Sequence, residues 1–158
     1  MFAIMKNLLI IIAAMMMPLL VSGQKVNEIN GLTYNEKGDL ANGQYSCCNE
    51  DGNIIKIFNY QDGIKQGEFK KFYASGNLLE TGYYVNNEKH GSWIRWDEQG
   101  KKLGDIKYDH GLRDGKWQIW DDNGVLRCVM YFDKGQKVGT WEKYDENGVL
   151  VETENNNI

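Results

Sequence analysis

Apolar and polar residues alternate along this chain in short bursts, each closed by a glycine-containing turn. "GSWIRWDEQG" at 91–100 returns as "GKWQIWDDNG" at 115–124 and as "GTWEKYDENG" at 139–148, at a spacing of 24 residues. The flanking runs are rich in aromatic and β-branched residues, which marks them as strands. "DENG" and "DDNG" are tight-turn sequences whose last glycine takes the left-handed backbone region. The pattern therefore predicts one β-hairpin per unit. Beyond residue 23 no segment sustains a helical period.

Counting each unit from its leading glycine as place zero brings out fixed columns. The leading glycines are Gly43, Gly67, Gly91, Gly115 and Gly139, and a second glycine follows nine places later in every unit. At place twenty stand Gly63, Gly111 and Gly135, with Asn87 in the remaining unit. Asparagine is the side chain that best tolerates positive φ, so the exception points to a backbone requirement. Place two holds Tyr45, Phe69, Trp93, Trp117 and Trp141. Place five holds Cys48, Phe72, Trp96, Trp120 and Tyr144, and place seventeen holds Tyr60, Tyr84, Tyr108 and Phe132. A three-residue turn should pair place five with the apolar residue at place eleven, which is Ile54, Leu78, Leu126 or Leu150, and Lys102 in the third unit.

A lone hairpin cannot bury an aromatic face in water. Stacked side by side, hairpins line their rings into ladders, and each cross-strand pair contributes roughly 0.2–1 kcal/mol. The expected fold is all-β: one elongated antiparallel sheet of stacked 24-residue hairpin repeats. Short links make neighbouring strands antiparallel. Places two and five are an odd number apart, so in a regular strand they face opposite sides. Ahead of the five repeats, residues 31–42 read as a shortened copy, and the polar end "ENNN" suits an outer unit that faces water.

The chain has 158 residues, 42% hydrophobic and 25% charged, as expected of an ordinary folded domain. Residues 1–23 stand apart. Lys6 is their only charge, an apolar run spans 8–21, and Ser22 and Gly23 follow. That order describes a secretory signal peptide, and the run is shorter than the ~20 residues of a membrane span. Residues 24–158 are then the exported, repeat-bearing protein, in a bacterial periplasm or outside the cell. Their formal charge of −5 is unlike the basic footprint of a nucleic-acid binder. No nucleic acid or membrane contact is expected. Cys47 and Cys48 lie too many strands from Cys128 to bridge, and they read as small apolar residues.

Candidate chemistry is sparse. His90 and His110 fall in hairpin links with no partner at metal-ligand spacing, and no nucleophile motif, phosphate loop or catalytic carboxylate pair stands out. No metal, cofactor or enzymatic activity is expected. Paired acids in the tight turns, such as Asp97–Glu98, Asp121–Asp122 and Asp145–Glu146, are better explained by turn chemistry than by calcium. The binding candidates are the aromatic residues Trp93, Trp96, Trp117, Trp120, Trp141 and Tyr144, because Trp and Tyr combine apolar area with a polar tip. A weaker candidate is a basic column at place twenty-two: Lys65, Lys89, Arg113 and Lys137. Its first reading is as solvated turn residues that deter edge pairing.

The unit "G-x-W-x-x-Y-D-x-N-G-x-L…Y-x-x-G-x-x-x-G" resembles the MORN-variant repeat, found in bacterial proteins labelled YwqK-type antitoxins. The likeness spans about residues 31–158. It implies an elongated hairpin sheet with a protein-binding, antitoxin- or immunity-like role, and it brings no catalytic residues. The expectation is an exported, non-enzymatic module that binds another protein through one sheet face. A carbohydrate- or cell-wall-binding module using exposed Trp and Tyr columns is the alternative. Open sheet edges also invite self-association.

Overall fold

The computed structural model describes residues 24–156; the leader segment lies outside them. Twelve strands make one open antiparallel sheet in meander order. The hairpins are β3 (Gly43–Cys48) with β4 (Ile54–Gln61), β6 (Gly67–Phe72) with β7 (Leu78–Val85), and β8 (Glu88–Trp96) with β9 (Lys102–Asp109). They continue as β11 (Gly115–Trp120) with β12 (Leu126–Asp133), and β13 (Gln136–Tyr144) with β14 (Leu150–Asn155). Short strands β5 (Ile64–Lys65) and β10 (Leu112–Arg113) pair with β4 and β9 where the chain turns into the next unit. At ~4.8 Å per strand, the ten strands of the main path extend about 43 Å. The described residues contain no helix.

Two kinds of turn set the register. In the tight turn, place five pairs with place eleven in every unit: Cys48 with Ile54, Phe72 with Leu78, Trp96 with Lys102, Trp120 with Leu126, and Tyr144 with Leu150. A bulge falls just before each pair. The side chain at place six holds most of these turns closed. Asn49, Asp97, Asp121 and Asp145 each accept backbone N–H groups from two and four residues ahead. The carboxyls of Asp121 and Asp145 are held below the usual range, chiefly by the bonds from Val125 and Val149. The place-six acids Asp97, Asp121 and Asp145 are therefore the turns' own fasteners.

The link between hairpins is a two-residue turn with positive φ at both positions. Asp62, Asn86, His110 and Lys134 lie at φ 44–51°, followed by Gly63, Asn87, Gly111 and Gly135 at 70–88°. Asn87 at 70° does what glycine does elsewhere, as the column required. Each link also bonds to the one before it: the N–H groups of Asn87, Gly111 and Gly135 donate to the carbonyls of Lys65, Lys89 and Arg113.

The N-terminal fragment forms a small hairpin, β1 (Asn27–Ile29) with β2 (Leu32–Tyr34), outside the main sheet. Its next turn repeats the array's tight turn. Asn35 accepts from Lys37 and Asp39, and Tyr34 bridges Leu40 as place five meets place eleven. The segment docks on the first link: Thr33 donates its N–H to the Gly63 carbonyl, Gly63 donates to Ala41, Ala41 donates back to Thr33, and Ala41 is completely buried. The shortened repeat thus keeps its turn and covers one end of the first hairpin's link.

Substituting Gly82 tests the packing directly. Trp93 lies flat across Gly82, so closely that a Cβ there would fall 2.2 Å from the indole ring. Gly82→Ala should cost about 1–3 kcal/mol by overpacking. Trp93→Ala, at a ring only 2% exposed, should cost about 3–5 kcal/mol. Urea unfolding followed by tryptophan fluorescence measures both. The tight turns make a pH prediction. Because the carboxyls of Asp121 and Asp145 titrate lower folded than unfolded, their contribution is complete above the unfolded value and is lost as pH falls below about 4. Asp121→Asn with Asp145→Asn should keep the fold at neutral pH, as Asn49 does in its unit, and flatten the acid-unfolding slope. Asp121→Ala with Asp145→Ala should lower Tm at neutral pH. Melting curves between pH 2 and pH 7 separate the two outcomes.

Candidate functional site

The aromatic columns divide between the two faces of the sheet. On one face, the nine rings of places two and seventeen interleave and, with Phe58 at place fifteen, make an unbroken run of ten. It starts at Tyr45 and Tyr60, 5.5 Å apart, and passes through Phe58 to Phe69 at 5.0 Å. Phe69 stacks on Trp93 at 5.2 Å and meets Tyr84 edge-on at 5.7 Å. From Trp93 the run continues through Tyr108, Trp117 and Phe132 to Trp141, at separations of 4.9–6.3 Å. Tyr60, Phe69, Trp93 and Phe132 are buried. Burial pushes the phenols of Tyr60, Tyr84 and Tyr108 up from their ordinary value. Trp117 and Trp141 donate their indole N–H groups to the carbonyls of Lys107 and Tyr131.

The basic column lies over this ladder. Lys89 Nζ sits 3.7 Å from the centre of Trp93 and 5.2 Å from Tyr108; Lys137 Nζ is 4.1 Å from Trp141. The Arg113 guanidinium is 4.6 Å from Phe132, and Lys65 Nζ is 5.7 Å from Phe58. Each such contact is worth about 0.5–2 kcal/mol depending on solvation. Burial of Lys89 lowers its ammonium pKa, as a cation half withdrawn from water requires. Lys65 and Lys137 also pair with Glu28 and Glu154, at 4.0 and 3.2 Å. The column therefore caps the aromatic core while staying in contact with water: Lys65 and Lys89 are half-buried, and Arg113 and Lys137 remain exposed, as solvated turn residues would be.

The six aromatic candidates accordingly do not share one surface. Trp93, Trp117 and Trp141 belong to the ladder, and Trp96, Trp120 and Tyr144 lie on the opposite face with Phe72. The three-residue step between places two and five produces this split. On that second face the rings sit on alternate strands, about 9.6 Å apart, too far for ring-to-ring contact. Their pairing partners Leu78, Lys102 and Leu126 stand on the strands between them, and Leu150 flanks Tyr144 on the edge strand. All four rings are half-buried. Lys102 Nζ stands 5.5 Å from the Trp120 ring and bonds Asp105 at 2.9 Å. The Tyr144 hydroxyl donates to Glu142 at 2.8 Å, and that bond chiefly raises its pKa. Shallow clefts open between successive tight turns: one is lined by Leu78, Trp96, Asn77 and Glu98, another by Ile54, Ile57 and Phe72.

The fold also assembles residues that sequence spacing left apart. His90 and His110, without partners when read along the chain, meet across neighbouring links with ring centres 5.1 Å apart. Asp109 lies between them, its Oδ1 2.7 Å from His110 Nδ1 and 3.3 Å from His90 Nδ1. The missed signal was the stacking of links. Place twenty-three of one unit adjoins places eighteen and nineteen of the next. Cys47, Cys48 and Cys128 are free and half-buried.

No curated protein matches the sequence. Among solved structures, a point mutant of S. aureus TarM in complex with Fondaparinux, alpha-GlcNAc-glycerol and UDP is similar over 75% of this chain and 21% of that one, at 12% identity and a TM-score of 0.39. A second TarM structure matches over 70% and 20%, at 12% identity and 0.35. A GtfA/B complex bound to UDP and GlcNAc matches over 84% and 24%, at 10% identity and 0.28. The chain spans about a fifth to a quarter of the length of these proteins, and likenesses this slight do not bear on its activity. The MORN repeat variant matches at residues 65–86, 113–134 and 137–155. Each match begins at a cation of the basic column, Lys65, Arg113 or Lys137. With the same hairpin, turn and ring columns running through the units between these matches, the chain is a MORN-variant repeat protein.

Proposed function

We propose that the protein is a non-enzymatic recognition module that binds a protein partner through the face bearing Phe72, Trp96, Trp120 and Tyr144. One observation carries this reading: each ladder ring packs against other rings of its face, whereas the half-buried rings of the second face have no aromatic neighbour. Half-exposed Trp and Tyr set among aliphatic side chains make the kind of patch at which protein interfaces concentrate their binding energy. The clefts beside Trp96 and Phe72 offer seats for side chains of a partner. The leader suggests a partner met outside the cytoplasm, and an immunity-like role against an envelope-acting toxin is in keeping with that setting. A glycan ligand is the second reading. The leucines between the rings favour protein, because sugar stacking calls for polar groups around each ring.

Trp96→Ala combined with Trp120→Ala should leave the thermal unfolding transition of the ladder nearly intact. It should abolish capture of the partner that the unaltered protein retrieves from envelope extract, with a loss of about 2 kcal/mol or more for a central anchor. Capture undiminished in that variant would overturn the reading. A saturable tryptophan-fluorescence response to cell-wall glycans, lost in the same variant, would replace protein by carbohydrate.

A further inference from the structure

In the link turns, the side chain just before a leading glycine normally has a fixed task. Asn42, Gln66 and Asp114 each accept the backbone N–H at place nineteen of the following unit, from Asp62, Asn86 and Lys134. In the third unit that position is His90, and it makes no such bond. Its Nδ1 is shielded from solvent and has no hydrogen-bond partner. The nitrogen faces Asp109 Oδ1 at 3.3 Å, with His110 Nδ1 on the same oxygen at 2.7 Å. The three donor atoms all lie within 4.8 Å of one another. This is also the unit that the family repeat passes over, between its matches ending at 86 and beginning at 113.

We propose that His90, Asp109 and His110 form a binding site for a late first-row divalent metal ion, with Zn2+ as the representative. Tetrahedral Zn2+ with bonds of ~2.0–2.1 Å holds its donor atoms ~3.3 Å apart. The His90–Asp109 spacing matches that distance, the His110–Asp109 spacing is shorter by about 0.6 Å, and the two imidazole nitrogens lie within 4.8 Å of each other, so closing on the ion takes small side-chain rotations. The ion takes the place of the proton between His110 Nδ1 and Asp109, and it supplies the partner that His90 Nδ1 lacks. Two imidazoles and one carboxylate select Zn2+, Cu2+ or Ni2+ over the oxygen-seeking Mg2+ and Ca2+. All three residues are partly exposed, which leaves the fourth position to water or to a donor from another molecule. The backbone is already set: His110 is held at φ 44° by the link turn, and Gly111 bonds back to the Lys89 carbonyl.

The test is calorimetric titration of the folded protein with ZnCl2. The expected result is one ion per chain, not displaced by excess Mg2+ or Ca2+. His90→Ala and His110→Ala should each weaken binding about tenfold or more. Both variants should remain folded by circular dichroism, since neither ring supports the ladder. Asp109→Asn, which keeps the side chain's shape, provides a third variant should either alanine disturb its turn. Replacing Cys47, Cys48 and Cys128 by serine should leave binding unchanged. Nitrogen NMR of the imidazoles should show the ion on the Nδ1 atoms of His90 and His110. Absence of saturable binding, undiminished binding in the His90→Ala/His110→Ala double variant, or its loss in the cysteine variant would each overturn the assignment.

Discussion

Everything in this fold depends on rings of one hairpin packing against rings of the next. A single hairpin presents too little apolar surface to hold itself together, and among the described residues no second layer covers the sheet. The ladder from Tyr45 to Trp141 replaces that layer with contacts inside one face. Trp93 and Trp117 are each bracketed by place-seventeen rings from their own and the preceding hairpin, Phe69 lies between Phe58 and Tyr84, and the end rings Tyr45 and Trp141 each meet one, so stability is shared between neighbours and grows with the number of units. The tight turns and links exist to keep those brackets in register. A slip of one residue in any strand would carry its rings to the other face. The bulge before place five, the place-six fasteners and the positive-φ links are the devices that prevent it.

Because the ladder is completed by side chains of its own face, the two surfaces have different chemistry. One is an aromatic core capped by cations, with Lys89, Arg113 and Lys137 lying over the rings while Arg113 and Lys137 keep their exposure to solvent. The other carries rings too far apart to satisfy one another. A strand can place aromatic residues on both faces only if one set is closed by its neighbours and the other is left available. That asymmetry separates structural tryptophans from candidate binding tryptophans three residues away.

Repetition also allows one unit to depart from the pattern without harm to the rest. Backbone geometry at the links is the same in each unit, so the side chains at places eighteen, nineteen and twenty-three can change freely. In most units they supply turn-closing oxygens; in one they supply two imidazoles around a carboxylate. Trp93 and Gly82 show the same freedom inside the ladder. The indole covers the glycine where Phe58, Ile106 or Met130 stands at the corresponding place of the other units.

The sequence by itself determined the hairpin unit, its period, the turn glycines and their asparagine substitute, the pairing of place five with place eleven, and the open antiparallel sheet. All of these follow from local chemistry: turn residues dictate backbone angles, and alternation dictates strand faces. The tertiary structure alone decided which ring column became core, that the basic column would lie on that core, and that His90, Asp109 and His110 would meet. Those outcomes depend on contacts between units, where residues about 20 apart in the chain become neighbours. No local pattern states which face closes on itself. That is settled only when consecutive hairpins stack and the rings of places two and seventeen come within reach, while those of place five remain two strands apart.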